Sequence, residues 1–343
     1  MLKQLLLLLT LATFVSGTSV HSAPNTPSSP PTKKVLAYYV EYYESDKNSY
    51  RSLTSYSDVL TDISLVAFNA TANGDLTGTP SAQGLKAARD RSVQTFLLVA
   101  NHGKNLFDKD LVHTLLNNPA SVNRLISQLV SQVAKMNATG VNLDFENIQA
   151  ADRKIYSKLV ATLADKLHQS GKQLIVSVPA KTADNPKEFW TYAYDYRALA
   201  AKSDYLQLMT YDEYGPWMEA GPVASYSWVE KVLQHAVSTA PAGKLLMGIP
   251  AYGYEWSKEG NRAVPYRAVS ALIQKEKATV QWSKAYQSPY VTYQKNGVSH
   301  TLWFENEKSL KAKRKLAESY KLAGYGVWRL GFDDSTFWKA LVR

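Results

Sequence analysis

Gly140-Val141-Asn142-Leu143-Asp144-Phe145-Glu146-Asn147 alternates polar and apolar side chains. Successive side chains of a strand point to opposite faces. Asn142, Asp144 and Glu146 therefore share one face, and Val141, Leu143 and Phe145 share the other. In a parallel barrel the apolar set faces the surrounding helices and the polar set points into the lumen. Glu146 then lies at the C-terminal rim, where barrel active sites are built. Two carboxylates and an amide in a row are costly to bury without a purpose. Partial burial and a neighbouring negative charge raise the pKa of one carboxyl, which suits a general acid. The competing reading is a hydrogen-bonded network that merely closes the barrel.

Seven further apolar runs flank this one. They are Val35–Val40, Ile63–Phe68, Thr95–Ala100, Gln173–Val178, Tyr205–Thr210, Lys244–Ile249 and Gly326–Leu330. Runs such as FLLVA and LIVSV are apolar throughout, as strands buried on both faces are. Amphipathic stretches lie between them, including Ser121–Met136, Arg153–Ser170 and Trp228–Thr239. This α/β alternation predicts a (β/α)8 TIM barrel, with an open doubly wound sheet as the rival. The interval before the last strand is the longest. Residues 262–301 hold strand-like pieces around Asn296-Gly297, a hairpin signal, and predict a small α+β insertion between strands seven and eight. A helix over Asn306–Ala323 leads into the last strand.

The first residues read as export machinery. Lys3 precedes an apolar run over Leu5–Val15, and Val20-His21-Ser22 suits cleavage before Ala23. That run is shorter than the roughly 20 residues a bilayer span needs, so no stable membrane insertion is expected. Residues 23–33, rich in proline and serine, read as a tether, and one domain is expected over 34–343. The 343-residue chain has no cysteine, which excludes disulfide scaffolds, thiolate metal sites and cysteine nucleophiles. Export without cysteine points to a bacterial cell-surface or extracellular protein. The net charge of +10, or +9 after loss of the leader, favours a negatively charged partner.

The strand-four segment resembles the signature of family 18 glycoside hydrolases, D-G-x-D-x-D-x-E. Here it reads Thr139-Gly140-Val141-Asn142-Leu143-Asp144-Phe145-Glu146. The glycine, last aspartate and glutamate agree, whereas Thr139 and Asn142 replace the first two aspartates. The form GVNLDFEN is similar to the branch of bacterial spore-cortex-lytic and cell-wall N-acetylglucosaminidases. Met209-Thr210-Tyr211-Asp212 resembles the family's M-x-Y-D. Leu36-Ala37-Tyr38-Tyr39 resembles its first strand, and Gly326-Val327-Trp328 its last. Gly221–Ser225 and Gly248–Gly253 also look familial.

The resemblance implies a substrate-assisted retaining glycosidase, outside the usual two-carboxylate scheme. Glu146 would protonate the leaving oxygen and then activate water. Asp144 would hold the acetamide N–H, and Tyr211 the acetamide oxygen. Tyr38, Asn142, Met209, Asp212 and Trp328 are the candidate substrate-binding residues, with Trp328 flooring the sugar. Asn142 cannot take up a proton as aspartate can, but its amide is expected to donate to Asp144, and the loss of an adjacent negative charge to leave that carboxyl easier to ionise than beside an aspartate. Trp217 and Tyr214 are candidates to offer faces to further sugars, Asn101 and His102 end strand three, and Gln207 reads as structural.

The six histidines show no metal-ligand spacing, so neither metal nor cofactor is expected. No nucleic-acid motif occurs, and the basic run Lys308–Lys315 reads as a solvated helix face. The expected partner is an N-acetylglucosamine polysaccharide, peptidoglycan or chitin, met by a secreted monomer at the cell wall or spore surface. Peptidoglycan is favoured by the positive charge. The alternatives are a chitinase or chitooligosaccharide hydrolase, an endoglycosidase on glycoproteins, a wall-bound structural protein with a vestigial site, and a sugar-binding lectin on the same barrel. The lectin reading is disfavoured because Glu146 is present.

Overall fold

A computed structural model describes residues 33–103 and 106–342. The expected leader and all of the expected tether but Lys33 lie outside the described residues. Eight parallel strands form the central sheet: β1 (Lys34–Tyr39), β2 (Asp62–Ala70), β3 (Gln94–Ala100), β4 (Gly140–Asp144), β5 (Gln173–Pro179), β6 (Tyr205–Met209), β7 (Leu245–Pro250) and β8 (Gly324–Trp328). Each pairs with its successor, and β1 pairs with both β2 and β8. The sheet is closed, so the open-sheet alternative is excluded. The predicted (β/α)8 barrel is the fold.

Two apolar shells hold it together. Val141, Leu143 and Phe145 of the β4 segment are fully buried outside the barrel, in one cluster with Leu129, Leu159 and Leu163 of the surrounding helices. Inside, Leu36, Phe96, Ile175 and Leu246 plug the lower lumen without exposure. Burying each such side chain favours folding by about 1.5–3 kcal/mol before entropy is charged.

β8 begins two residues before the apolar run that marks it in sequence. Its first residue, Gly324, lies so close to β1 that a Cβ would meet the Lys34 carbonyl oxygen at 1.8 Å. Close strand approach, not hydrophobicity, selects that residue, so it leaves no apolar signal. At its other end the run overshoots, because Leu330 belongs to the turn that follows.

The insertion is a five-stranded antiparallel sheet with one helix, Tyr266–Lys275. Its strands are Tyr252–Ser257, Arg262–Pro265, Gln281–Ser283, Ser288–Lys295 and Val298–Trp303. It starts at Tyr252 rather than 262, because a single residue, Ala251, separates its first strand from β7. The two apolar runs read as one in sequence. Asn296-Gly297 forms the expected hairpin: Lys295 pairs with Val298, and the two turn residues have φ of 52° and 77°. Positive φ at both positions is what a type I′ turn requires.

Candidate active site

The site rises from the middle of the lumen. Above the apolar plug lies a polar layer of Tyr38, Ser64, Asn142, Ser177 and Gln207, all buried. The Tyr38 hydroxyl lies 2.9 Å from both Ser177 Oγ and Gln207 Oε1, donating to the latter. The Asn142 amide donates to Ser64 Oγ at 2.8 Å and Tyr38 Oη at 3.3 Å, and its oxygen accepts from Ser177 at 3.1 Å. This corrects one expectation. The amide of Asn142 is spent sideways on Ser64 and Tyr38, and its bond to Asp144 is not formed. Asn142 has no exposed surface and lies beneath the cleft rather than in it.

Asp144 is the last residue of β4. It is buried, and its Oδ1 has no hydrogen-bond partner. Burial pushes its carboxyl up to about 6. The cause is lost solvent, and the uncharged Asn142 adds nothing to the shift.

Glu146 lies just past the strand, where Asn101 clamps its backbone. The Glu146 N–H donates to Asn101 Oδ1, and Asn101 Nδ2 donates to the Glu146 carbonyl, both at 2.9 Å. The Tyr194 hydroxyl donates to the preceding carbonyl, of Phe145, at 2.8 Å. Burial first, then the charges of Asp144 and Asp212, hold the Glu146 carboxyl well above the ordinary range. Asn101 ended a strand in sequence, but nothing there showed that it grips the glutamate. His102 lies at the surface, its ring tilted 57° against that of Phe107 with centroids 4.6 Å apart.

The loop after β6 supplies the facing wall. Met209, Tyr211 and Asp212 are all partly exposed. Burial raises the Tyr211 hydroxyl well above its usual range, and Tyr38, Asp144 and Glu146 push in the same direction, so it stays protonated as a donor. Asp212 accepts from Tyr252 at 2.5 Å and from Tyr254 at 2.9 Å. Burial raises its carboxyl, and those two bonds oppose the shift. Trp328 ends β8 with its ring 5.1 Å from that of Tyr38, and it shares an aromatic cluster with Tyr211 and Tyr214. The structure thus gathers Asp144, Glu146, Tyr211, Asp212 and Trp328 at one end of the lumen, with Tyr38 in the buried polar layer below and its ring against Trp328.

Sequence reasoning missed part of the rim. Tyr42, Tyr43, Phe189 and Trp190 are exposed on the loops after β1 and β5, as the anticipated Trp217 is, at 73%, on the loop after β6. Adjacent aromatics in otherwise polar loops, Tyr42-Tyr43 and Phe189-Trp190, were the available signal. The basic run also differs from expectation, since Lys313 is buried against Glu305 at 2.8 Å. Among the described residues no group of three or more His, Asp and Glu side chains is placed to hold a metal.

Comparison with known proteins agrees with this geometry. The model of the family "Glycosyl hydrolases family 18" matches residues 34–333. "Uncharacterized glycosylase YvbX" of Bacillus subtilis (strain 168) is 35% identical over 314 residues, 90% of this chain and 91% of that protein. "Cortical fragment-lytic enzyme" of the same organism is 27% identical over 295 residues, 83% of this chain and 68% of that protein. The crystal structure of a chitinase from Chromobacterium violaceum ATCC 12472 superposes with a TM-score of 0.84 at 34% identity, covering 90% of this chain and 98% of that one.

Proposed function

The chain belongs to glycosyl hydrolase family 18 and is a glycosidase, and from that premise we propose that it cleaves β-1,4 bonds after N-acetylglucosamine in peptidoglycan by a retaining, substrate-assisted mechanism. Glu146, held protonated by burial and its carboxylate neighbours, gives its proton to the glycosidic oxygen. As that bond breaks, the carbonyl oxygen of the sugar's own acetamide attacks the anomeric carbon and closes an oxazolinium ring. Asp144 accepts the acetamide N–H and offsets the positive charge. Tyr211 donates to the acetamide oxygen and steadies it for attack. Trp328 floors the sugar, and Met209 and Asp212 line it. Glu146, now ionised, takes a proton from water, which opens the ring with net retention.

One observation carries this reading: the unpartnered Oδ1 of buried Asp144. A buried carboxylate oxygen without a donor costs about 1–3 kcal/mol or more. An acetamide N–H supplies that donor only when the substrate is N-acetylated. Asp144 and Glu146 stand two residues apart on one segment and so reach the same side of the bond. Asp212, the remaining carboxylate, already accepts from two tyrosines.

Peptidoglycan is preferred over chitin because of the +10 charge and the similarity to a cortical fragment-lytic enzyme. The protein then acts outside the cell, at the wall or spore surface, as a monomer released by its leader. A thiazoline analogue of N-acetylglucosamine is expected to inhibit competitively, and new reducing-end N-acetylglucosamine should appear by mass spectrometry of digested peptidoglycan. Trapping a glycosyl–enzyme ester with a fluorosugar overturns the mechanism. Turnover confined to chitin oligomers overturns the substrate.

A further inference from the structure

Charge is unevenly spread along the chain. Residues 252–323, the insertion and the helix after it, hold 13 Lys and Arg against 6 Asp and Glu, a net of +7 within a chain total of +10. Four of those six carboxylates are already neutralised inside the lobe. Glu305 meets Lys313 at 2.8 Å, Glu255 meets Arg262 and Glu307 meets Lys311 at 2.5 Å, and Glu318 lies 3.9 Å from Arg314. The surplus is therefore carried by exposed cations, among them Lys258, Lys275, Lys284, Lys295, Lys308 and Lys315. None of these six makes an ion pair among the described residues. Lys308 Nζ sits 3.8 Å from the centre of the Trp282 ring, which joins the helix to the edge strand of the inserted sheet. Helix and sheet thus form one basic lobe.

The lobe also borders the cleft. Its Tyr252, Tyr254 and Trp303 pack in one cluster with Tyr211 and Trp328. Concentrated like charge repels itself and destabilises the compact state, and a polyanion relieves that strain while being drawn in over distance. An uncharged glycan has no counterpart for it, whereas a glycan carrying peptide carboxylates does. We propose that this lobe is a docking surface, separate from the catalytic residues, for the carboxylate-bearing peptide stems of peptidoglycan, an inference that rests on the substrate reading above. It holds polymer beside the cleft and leaves the bond-breaking step untouched.

The test is co-sedimentation of the full chain with peptidoglycan sacculi freed of phosphate polymers, with chitin as the uncharged control. Binding to sacculi is expected at low salt and release at high salt, because screening shortens the reach of exposed charges to about 10 Å at 0.1 M. The triple variant K258E/K284E/K295E replaces three exposed side chains that make no ion pair among the described residues. It is expected to lose roughly tenfold or more in sacculus affinity while hydrolysis of a short soluble N-acetylglucosamine oligomer stays within about twofold. The oligomer assay also reports that the variant is folded. Salt-insensitive binding, parental affinity in the variant, or equal retention on chitin overturns the docking surface. Equal retention on glycan strands stripped of their peptides overturns the choice of carboxylates. The two readings fail apart: digestion of peptidoglycan by a variant with parental affinity removes only the docking surface, and digestion of chitin oligomers alone removes the substrate.

Discussion

Two adjacent storeys of the barrel lumen are both polar and both largely withdrawn from solvent, yet they are built to opposite standards. In the lower one, Tyr38, Ser64, Asn142, Ser177 and Gln207 satisfy one another. In the upper one, Asp144 keeps an orphan oxygen, and burial, then the charges of Asp144 and Asp212, raise the pKa of Glu146. A satisfied network contributes to rigidity and a unique core, whereas an unsatisfied one is a cost that folding alone does not explain. On the proposed reading the lower layer fixes β4 and the upper layer holds the groups that meet the substrate.

Removing Glu146 breaks the comparison most severely. Glu146→Gln keeps the shape but cannot donate the proton, so turnover is expected to fall about 10²–10⁴-fold. Its stability should move the other way. The folded-state pKa of Glu146 lies above its unfolded value, so the carboxyl binds its proton more tightly in the folded chain. That contribution is full below the unfolded value and is lost as pH rises through the folded one. At pH 7 the glutamine variant should therefore melt higher than the parent, and near pH 4 the gap should close. Calorimetry at the two pH values checks this, and a lower melting temperature at pH 7 removes the claim that the upper layer is strained.

Asn101→Ala tests whether the upper layer is positioned from outside. It deletes both bonds to the Glu146 backbone while leaving every proposed catalytic group in place. A loss of about ten- to a hundredfold in kcat, with KM nearly unchanged, is the expected result, because small misplacements of a reacting group are costly. A parallel change in KM, or none in kcat, assigns Asn101 to the fold alone.

How much of this was legible before the structure depends on the kind of signal. The strands were readable because burial on both faces demands continuous apolar runs, and GVNLDFEN was readable because its alternation put carboxylates inward. Boundaries set by close approach, such as Gly324, were not, since glycine adds nothing to an apolar pattern. The start of the insertion was hidden by the single-residue junction at Ala251. At the site, residue identity on the strand predicted position but not partners. Asn142 pointed inward as expected and then spent its amide on Ser64, a residue 78 positions away. Asn101 grips Glu146 across 45 positions. Contacts between strands that meet only on closure leave no periodic trace in the chain.

The smallest effect belongs to the boundary between the two storeys. Asn142→Asp places a carboxyl inside the satisfied layer, directly below Asp144 on the same face of β4. The Asn142 amide now donates to Ser64 and Tyr38, and an ionised carboxylate donates to neither. The new group is therefore driven to keep a proton, by burial and by the charge of Asp144 two residues on. If the two carboxyls share that proton, they titrate as a pair, and the acid limb of the rate profile reports the pair instead of Asp144 alone. Under the proposed mechanism Asp144 is ionised when it holds the acetamide, so its carboxyl, raised by burial to about 6, is expected to set that limb in the parent. The variant should retain most of its maximal rate, with the limb displaced and broadened. Measuring kcat from pH 4 to 8 decides the matter, and superimposable parental and variant profiles would show that the lower layer is electrostatically insulated from the upper one.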